Sequence, residues 1–599
     1  MMNTPKILLT GLLLAILLGA CKDYLDPYPN GNRSEDDVWK YPEMAQGLIG
    51  QVYEYIPTNY NNNESAYLDC ATDNAVSTST TRDIRKLAVG AITTGQDPVR
   101  TYWDRNYKAI FLCNTFLKDN RGFNLRYLVD PHLDSLVRYR LQGEAYALRA
   151  WFQWDLLQKF GGKSLDGNLL GFPIITEPAD ISSNLNWGRN TYEECVNQIL
   201  ADCDSAYKYL PIAHRDYLVE NLAKQSAYAG SRYWGRIDGI TTRAIKSLVY
   251  LTWASPRFNP EKDMTRWEMA AKYAKEVMDF KLTVDNVKNG FNPITAINWV
   301  NPQFPGIIWV SRYSTGNDAM ERMFYPGSFQ GNGTMGATQE LVDAFPMKNG
   351  YPITDPRSGY DPQDPYKDRD PRFYSTIFHN AAAAVRISGA KDTMFVFETF
   401  EGGKDAPGTR PDNSRTGYHI KKFVYMGLNW SDNSIDRQRH SNFLIRWAHM
   451  VLTFAEAANQ VVGPTDNAKF GISAKEAITY LRTRRTEGNK GGILIDPYLN
   501  EVAAAGKEEF DKFIRNERRI ETCFEGMRFY DLRRWETPVE ELNKPVHGIQ
   551  IDKNEDGSLK YQIVEIEPRS YQSPYLPIPY DEMLRMSKLE QNEGWESWK

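Results

Sequence analysis

Cysteine and histidine are scarce in this sequence, six and seven among 599 residues. Five cysteines lie beyond Cys21 (Cys70, Cys113, Cys195, Cys203 and Cys523); the odd number and the absence of CxxC spacing argue against a disulfide framework. A chain of this length buries a large core without staples. Cys195 and Cys203 are eight residues apart in a helical stretch, about 12 Å of rise, too far to bridge within one helix. All five read as small buried hydrophobes. The histidines form no HExxH or other metal spacing, and neither a GxSxG elbow nor a papain-like cysteine context occurs. No metal or cofactor is therefore expected. Past Cys21 no apolar run approaches the 18 residues of a transmembrane helix. Basic charge is not in excess: without residues 1–20 the chain carries 70 basic against 76 acidic residues, a net charge of −6, so nothing points to nucleic acid.

At the N-terminus Lys6 precedes an apolar run, Ile7 to Ala20, that ends in LLGAC. This is the pattern of a secretory signal over residues 1–20, too short to span a bilayer. Small Gly19 and Ala20 before a cysteine predict diacylglyceryl attachment at Cys21, and so a protein anchored to a membrane.

Apolar residues recur at three- and four-residue intervals over 98–119, 138–160, 191–210, 241–254, 265–280, 444–459, 473–485 and 507–524, which predicts helices. In 138–160, Leu141, Ala145, Leu148, Phe152 and Leu156 form one stripe, and Ala147, Trp151, Trp154 and Gln158 a second. A helix apolar on two faces packs between neighbours, and Gly161 and Gly162 are its expected stop. Between 285 and 440 short apolar runs such as GIIWVSRY (306–313) alternate with turn-rich strings such as DPRSGYDPQDPYKDRDPRF (355–373). No Ser/Gly/Pro linker cuts the chain. The expected architecture is mainly α: one body over 21–599, with a helical part to about 284, a loop-rich insertion with a few short strands over 285–440 that carries the ligand face, and a helical C-terminal part over 441–599.

Three motifs invite chemistry. GGKS (161–164) resembles the end of a phosphate-binding loop, but Leu157 stands where that loop needs glycine. DKNEDG (552–557) opens like a calcium loop, yet Ile563 occupies the position of its bidentate glutamate, and a hairpin turn is expected instead. Glu517, Glu521 and Glu525, four apart, could serve acid–base chemistry at a glycosidic bond. With Arg515, Arg518, Arg519 and Arg528 around them they should stay ionised, whereas a general acid needs a raised pKa. Aromatic residues make up 13% of the chain, and Trp187, Tyr217, Tyr233, Trp234, Trp299, Phe304, Tyr313, Phe324, Tyr325 and Phe329 stand in polar or turn-rich surroundings. Flat ring faces can stack on sugar rings while polar neighbours bond the hydroxyls.

Six strings, in order, resemble the RagB/SusD family of nutrient-binding outer-membrane lipoproteins. They are CKDYLDPYP from Cys21, GEAYALRAWFQWDLLQKFGG (143–162), DPYKDRDPRF (364–373), FAEAAN (454–459), RNERRIETCFEGMRFYDLRRW (515–535) and YLPIPYDEMLRMSKLEQNEGW (575–595). The resemblance implies a SusD-like fold with tetratricopeptide-like helix pairs and a role as a non-catalytic lid on a SusC-like TonB-dependent transporter. The lid would capture a glycan, or in some relatives a peptide, at the cell surface. By analogy of position it suggests ligand contacts at Asp73, Asn74, Arg82, Asp83 and Arg85, and at Trp299, Tyr313, Phe324 and Tyr325. A helical glycoside hydrolase or lyase and a surface adhesin are the competing readings.

Overall fold

A computed structural model describes residues 35–56, 67–179, 182–219, 225, 227–284, 306–313, 319–388, 391–426, 441–483 and 496–598. Its scaffold is a series of helices, each packed on the next in chain order: α1 (Pro42–Glu54), α2 (Arg100–Leu117), α3 (Pro131–Phe160), α4 (Tyr192–Tyr209), α5 (Gly239–Ala254) and α6 (Met264–Thr283). The series continues with α7 (Trp447–Val462), which packs directly on α6, and with α8 (Ala474–Arg482) and α9 (Lys507–Thr522), both packed on α7. The short helix α10 (Met527–Arg534) follows.

Local chemistry accounts for the ends. The Asp130 carboxylate accepts the His132 and Leu133 N–H groups and Pro131 opens α3, so this helix starts seven residues before its apolar periodicity. Thr191 with Glu194, and Ser473 with Glu476, form reciprocal capping boxes at α4 and α8. Both stripes of α3 meet neighbours: Leu141, Ala145, Leu148 and Leu156 are fully buried, as is Ala147, while Trp151 and Gln158 are half-buried. Gly161 ends α3 in extended backbone (φ −63°, ψ 132°), not in the left-handed conformation of a glycine stop. Gly162 is small for a different reason, since a Cβ there would lie 2.5 Å from the Tyr575 ring. Gly162 so admits the C-terminal segment, while Gly161 admits the Tyr192 ring of α4; Gly162–Lys163 pairs with Leu169–Leu170, a ribbon and not a phosphate loop. In α7 every residue from Trp447 to Asn459 is buried, and its alanines let helices approach from several sides. The helix expected from 444 begins at Trp447, because Leu444 lies in a strand.

Among the described residues all strand pairing is antiparallel and two-stranded. β1 (Ala75–Ser77) pairs with β3 (Met335–Ala337), tying the N-terminal part to the insertion. β2 (Ile307–Tyr313) pairs with β4 (Ser441–Arg446), so the insertion leaves and re-enters the scaffold at one place. Lys281 Nζ donates to the Ile307 carbonyl at 2.9 Å and the Trp447 N–H to the Gly306 carbonyl at 2.8 Å, fixing both junctions to α6 and α7. β5 (Val546–Lys553) and β6 (Leu559–Glu567) form the hairpin expected around DKNEDG, with Asp556 Oδ1 accepting the Ser558 N–H in its turn. The described cysteines are all free and buried. Among the described residues no helix is long and apolar enough to cross a membrane.

Candidate functional site

The sequence-suggested contacts scatter on folding. Asp73 is gripped by Arg528 through both carboxylate oxygens at 2.9 Å and by Arg519 at 3.0 Å. Burial would raise its carboxyl, but these two guanidinium groups outweigh it and hold Asp73 well below the usual carboxylate range. Asn74 is buried, donating to Asp69 and accepting from Arg519, both at 2.9 Å. Arg85 donates to Glu567 Oε2 at 2.6 Å, an oxygen that also takes Arg415 at 2.7 Å. These three side chains knit the scaffold. Arg82 is half-buried at the start of the short helix Asp83–Ala88, and Asp83 is exposed beside Lys86 at 2.9 Å.

Phe324 and Tyr325 are corrected from surface to core: they are 0% and 1% exposed, and Tyr325 stacks between Phe329 and Phe378 at 4.9 and 5.7 Å. Aromatic bulk in a polar stretch of sequence here fills the interior of the insertion. Cys21, Trp299 and Phe304, and the side chains of Tyr217 and Tyr313, lie outside the described residues.

The three glutamates are clamped, by partners other than the neighbouring arginines. Glu517 accepts Arg372 at 3.0 Å and also Arg482; Glu521 accepts Arg446 at 2.9 Å; Glu525 takes Arg446 and Lys422 at 2.8 and 2.6 Å and faces His449. Burial pushes the Glu525 carboxyl up, but Arg446 and Lys422 prevail and keep it far below the usual range. Arg518 pairs instead with Asp531, Arg519 and Arg528 with Asp73, and Arg515 with Asp511. Helix α9 stops at Thr522, so Glu525 lies past its end. The turn that follows is pinned by Asp69, whose carboxylate accepts the Phe524 and Gly526 N–H groups at 3.1 and 2.8 Å. Among the described residues no cluster of His, Cys, Asp or Glu is arranged to hold a metal.

What the fold does build is an open cleft of about 420 Å³ on the outer side of α2, a size common for small-ligand sites. Trp103, Tyr107 and Phe111, at four-residue spacing on α2, form its floor with Ile110 and Asn114. Pro173, Ile175, Glu177 and Trp187 form one wall; Glu582 and Met586, in and just after the short helix Tyr580–Arg585, form another. Trp103 is held between Tyr107 and Phe160, with centroids at 5.0 and 5.1 Å, while Phe111 is 45% exposed and Tyr107 and Trp187 are half-buried. Polar ties fix the walls. The Tyr107 hydroxyl donates to the Pro173 carbonyl and Asn114 Nδ2 to that of Ile175, each at 2.9 Å. Arg189 donates to the carbonyls of Phe160, Leu170 and Gly171, and Asn186 bonds Ser587 and Lys588. The cleft is lined by three carboxylates and one cation. Asp104 lies 3.5 Å from Arg100 and Glu582 2.6 Å from Arg585, both arginines outside the lining, and exposed Lys108 and Glu177 complete the set. Of the described residues singled out in the sequence for stacking, Trp187 lines this cleft. Trp103, Tyr107 and Phe111 fell inside a helical stripe, which reads as core.

Two family models match the chain: one described as the SusD family over residues 305–595, and one described as starch-binding, associating with the outer membrane, over 23–232. SusD-like protein P38 of Formosa agariphila is 24% identical over 566 residues, covering 92% of this chain and 96% of that protein. Among solved structures, a SusD-like protein from Bacteroides fragilis superposes with a TM-score of 0.69 at 22% identity, covering 94% of this chain and 99% of its own. A SusD-like carbohydrate binding protein from the same organism gives 0.69 at 19% identity, covering 92% and 99%.

Proposed function

The chain belongs to the SusD family, and from that premise we propose that it is a non-catalytic surface lipoprotein that captures a neutral glycan and passes it to a SusC-like TonB-dependent transporter. The observation that carries the ligand class is the cleft on α2. Trp187, Tyr107 and Phe111 offer partly open ring faces, with Asp104, Lys108 and Glu177 at the edge to bond hydroxyls. The carbohydrate-binding solved relative and the starch-binding description of the N-terminal match support the same class. Neutral sugars are favoured because, among the described residues, the cleft is lined by one cation, Lys108, and three carboxylates, Asp104, Glu177 and Glu582, so no cluster of cations is there to clamp sulfate or uronate groups. Half-buried Arg82 and exposed Asp83, at the start of the helix Asp83–Ala88, are secondary contacts in this reading.

A binding role without bond cleavage is supported by the state of the glutamates. Each is committed to a guanidinium group, and Glu525 is kept ionised by Arg446 and Lys422. Anchoring through Cys21 fits the outer-membrane association of the matched family. Cys21→Ala should release the protein from membranes, and unchanged retention would refute the anchor.

The test is calorimetric titration of the protein with neutral, uronate-bearing and sulfated oligosaccharides and with mixed peptides, with product analysis of each mixture. We expect saturable binding of a neutral glycan without turnover, weakened about tenfold or more by Trp187→Ala or Phe111→Ala. Turnover would overturn the non-catalytic role. Binding of peptides alone, or glycan affinity untouched by both substitutions, would overturn the glycan cleft.

A further inference from the structure

Residues 173–177, the cleft wall that carries Pro173, Ile175 and Glu177, belong to no strand or helix. Side chains of the floor hold the wall's carbonyls instead. The Tyr107 hydroxyl donates to the Pro173 carbonyl at 2.9 Å. Asn114, two helical turns further along α2, donates through Nδ2 to the Ile175 carbonyl at 2.9 Å and, at 3.4 Å, to that of Glu177. Asn114 is 1% exposed, so a bond lost there is not made good by water.

The direction of the Asn114 amide is fixed from behind, by Arg149 of α3. Arg149 Nη1 donates to Asn114 Oδ1 at 2.9 Å and to the Thr176 carbonyl at 3.4 Å. Its Nε and Nη2 form a two-point pair with the Asp202 carboxylate of α4 at 2.8 and 2.6 Å. A guanidinium group only donates, so Oδ1 must face Arg149 and Nδ2 is left to face the wall. Turned over, the amide would set donor against donor on one side and acceptor against acceptors on the other. The Arg149 and Asp202 side chains are 7% and 3% exposed, where their pair is little screened and the planar fork is held in one orientation. Neither lines the cleft.

We propose that Arg149, clamped by Asp202, is a positioning residue for the cleft: it orients Asn114, and Asn114 sets the place of the 173–177 wall, with Ile175 and Glu177, against the aromatic floor. This rests on the glycan-binding reading of the cleft. A wall held before binding costs no ordering when a sugar enters.

The experiment titrates detergent-solubilised full-length protein with neutral hexasaccharides of glucose, mannose, galactose and xylose, and follows hydrogen exchange of the free protein. Asn114→Asp keeps the side chain's size and its acceptor for Arg149 but loses the donor to the wall. Arg149→Lys keeps the charge beside Asp202 but loses the fork that reaches Asn114. Each should weaken the hexasaccharide that wild type binds by about tenfold per folded molecule. Each should also speed exchange of the amides of 175–177, while those inside α2 and α3 stay protected. The double variant should bind no more weakly than the weaker single variant, because the two residues act along one line of bonds. Losses that multiply would mean that Arg149 acts independently of Asn114, and overturn the relay. Faster exchange throughout α2 and α3 would make Arg149 a support of the helices, and overturn the positioning role. Should Arg149→Lys fold poorly, Asn114→Asp and Asn114→Ala give the affinity and exchange readings of the wall. Wild-type affinity and wall exchange in the Asn114 variants, with Trp187→Ala still weakening binding, overturn this proposal alone. No binding of any of these hexasaccharides by wild type overturns the glycan reading of the cleft as well.

Discussion

Glu517 is 1% exposed between Arg372 and Arg482, and its position in the chain gives no hint of either partner: Arg372 is 145 residues away and Arg482 is 35. That the glutamates sit among cations was legible from the density of arginines beside them. Which arginines they pair with was not, because α9 points its own arginines at Asp73, Asp511 and Asp531. The arrangement separates a structural from a chemical role. Removing the negative charge leaves Arg372 its pair with Asp370 and Arg482 its pair with Asp496 but takes one carboxylate out of a buried network, a loss of about 1–3 kcal/mol. Glu517→Gln should therefore lower the urea midpoint by that stability while glycan affinity per folded molecule stays constant. A variant as stable as wild type would mean that the network is not the support it looks to be.

At the scale of elements, the helices were readable because their apolar residues repeat every three to four positions whatever they pack against. The stretch 98–119 and helix α2 agree within two residues at each end. Which face of α2 meets the core was not readable. Trp103, Tyr107 and Phe111 make the same stripe whether buried or open, and only packing reveals that Phe111 stays 45% exposed. Segments without long periodicity were missed, among them the strand that displaces the start of α7 and the core position of Phe324. Two glycines mark the difference between local and tertiary demands. Gly47 is exposed inside α1, and a Cβ there meets nothing within 4 Å, so Gly47→Ala should stabilise by about 0.5–1 kcal/mol through helix propensity. Gly336 lies in β3, where a Cβ would collide with Ser414 Oγ and Thr416 Oγ1, so Gly336→Ala should destabilise by about 1–3 kcal/mol through overpacking. Thermal and urea unfolding of the pair should give opposite signs; two changes of the same sign would contradict the account.

Over the whole molecule, proton linkage is a balance. Burial pushes His419 down to about 3, with Asp412 as its charged neighbour, and, together with Lys421 and Arg369, pushes His379 down to about 4 against its bond to the Asn380 carbonyl. The unfolded chain takes up these protons near 6.5 and the folded one does not, so both histidines cost stability as pH falls below 6.5. Asp69 and Asp97, pushed up by burial to about 6, act in the opposite sense, since the folded state binds their protons first as pH falls through 6. Glu456, held at about 2 by Arg534 against burial, makes the unfolded chain the stronger proton binder only below its ordinary 4.5. Between about pH 6 and 4.5 these two histidines and two aspartates nearly cancel one another, which leaves the slope there to the other groups that burial shifts, His214 and His449 downward and Asp202, Asp343, Asp405 and Asp511 upward. Below 4 the aspartates no longer compensate and His379 is protonated in the folded state as well, so Glu456 and His419 together make stability fall. One group can be isolated by difference, because His419→Asn leaves the others in place. The stability of wild type minus that of the variant should fall by about 1.4 kcal/mol per pH unit from 6.5 downward, flattening near 3. Urea unfolding of both proteins at half-unit pH steps measures it. A pH-independent difference would mean that His419 accepts its proton in the folded state, and would require a partner for two ring nitrogens that are buried without one.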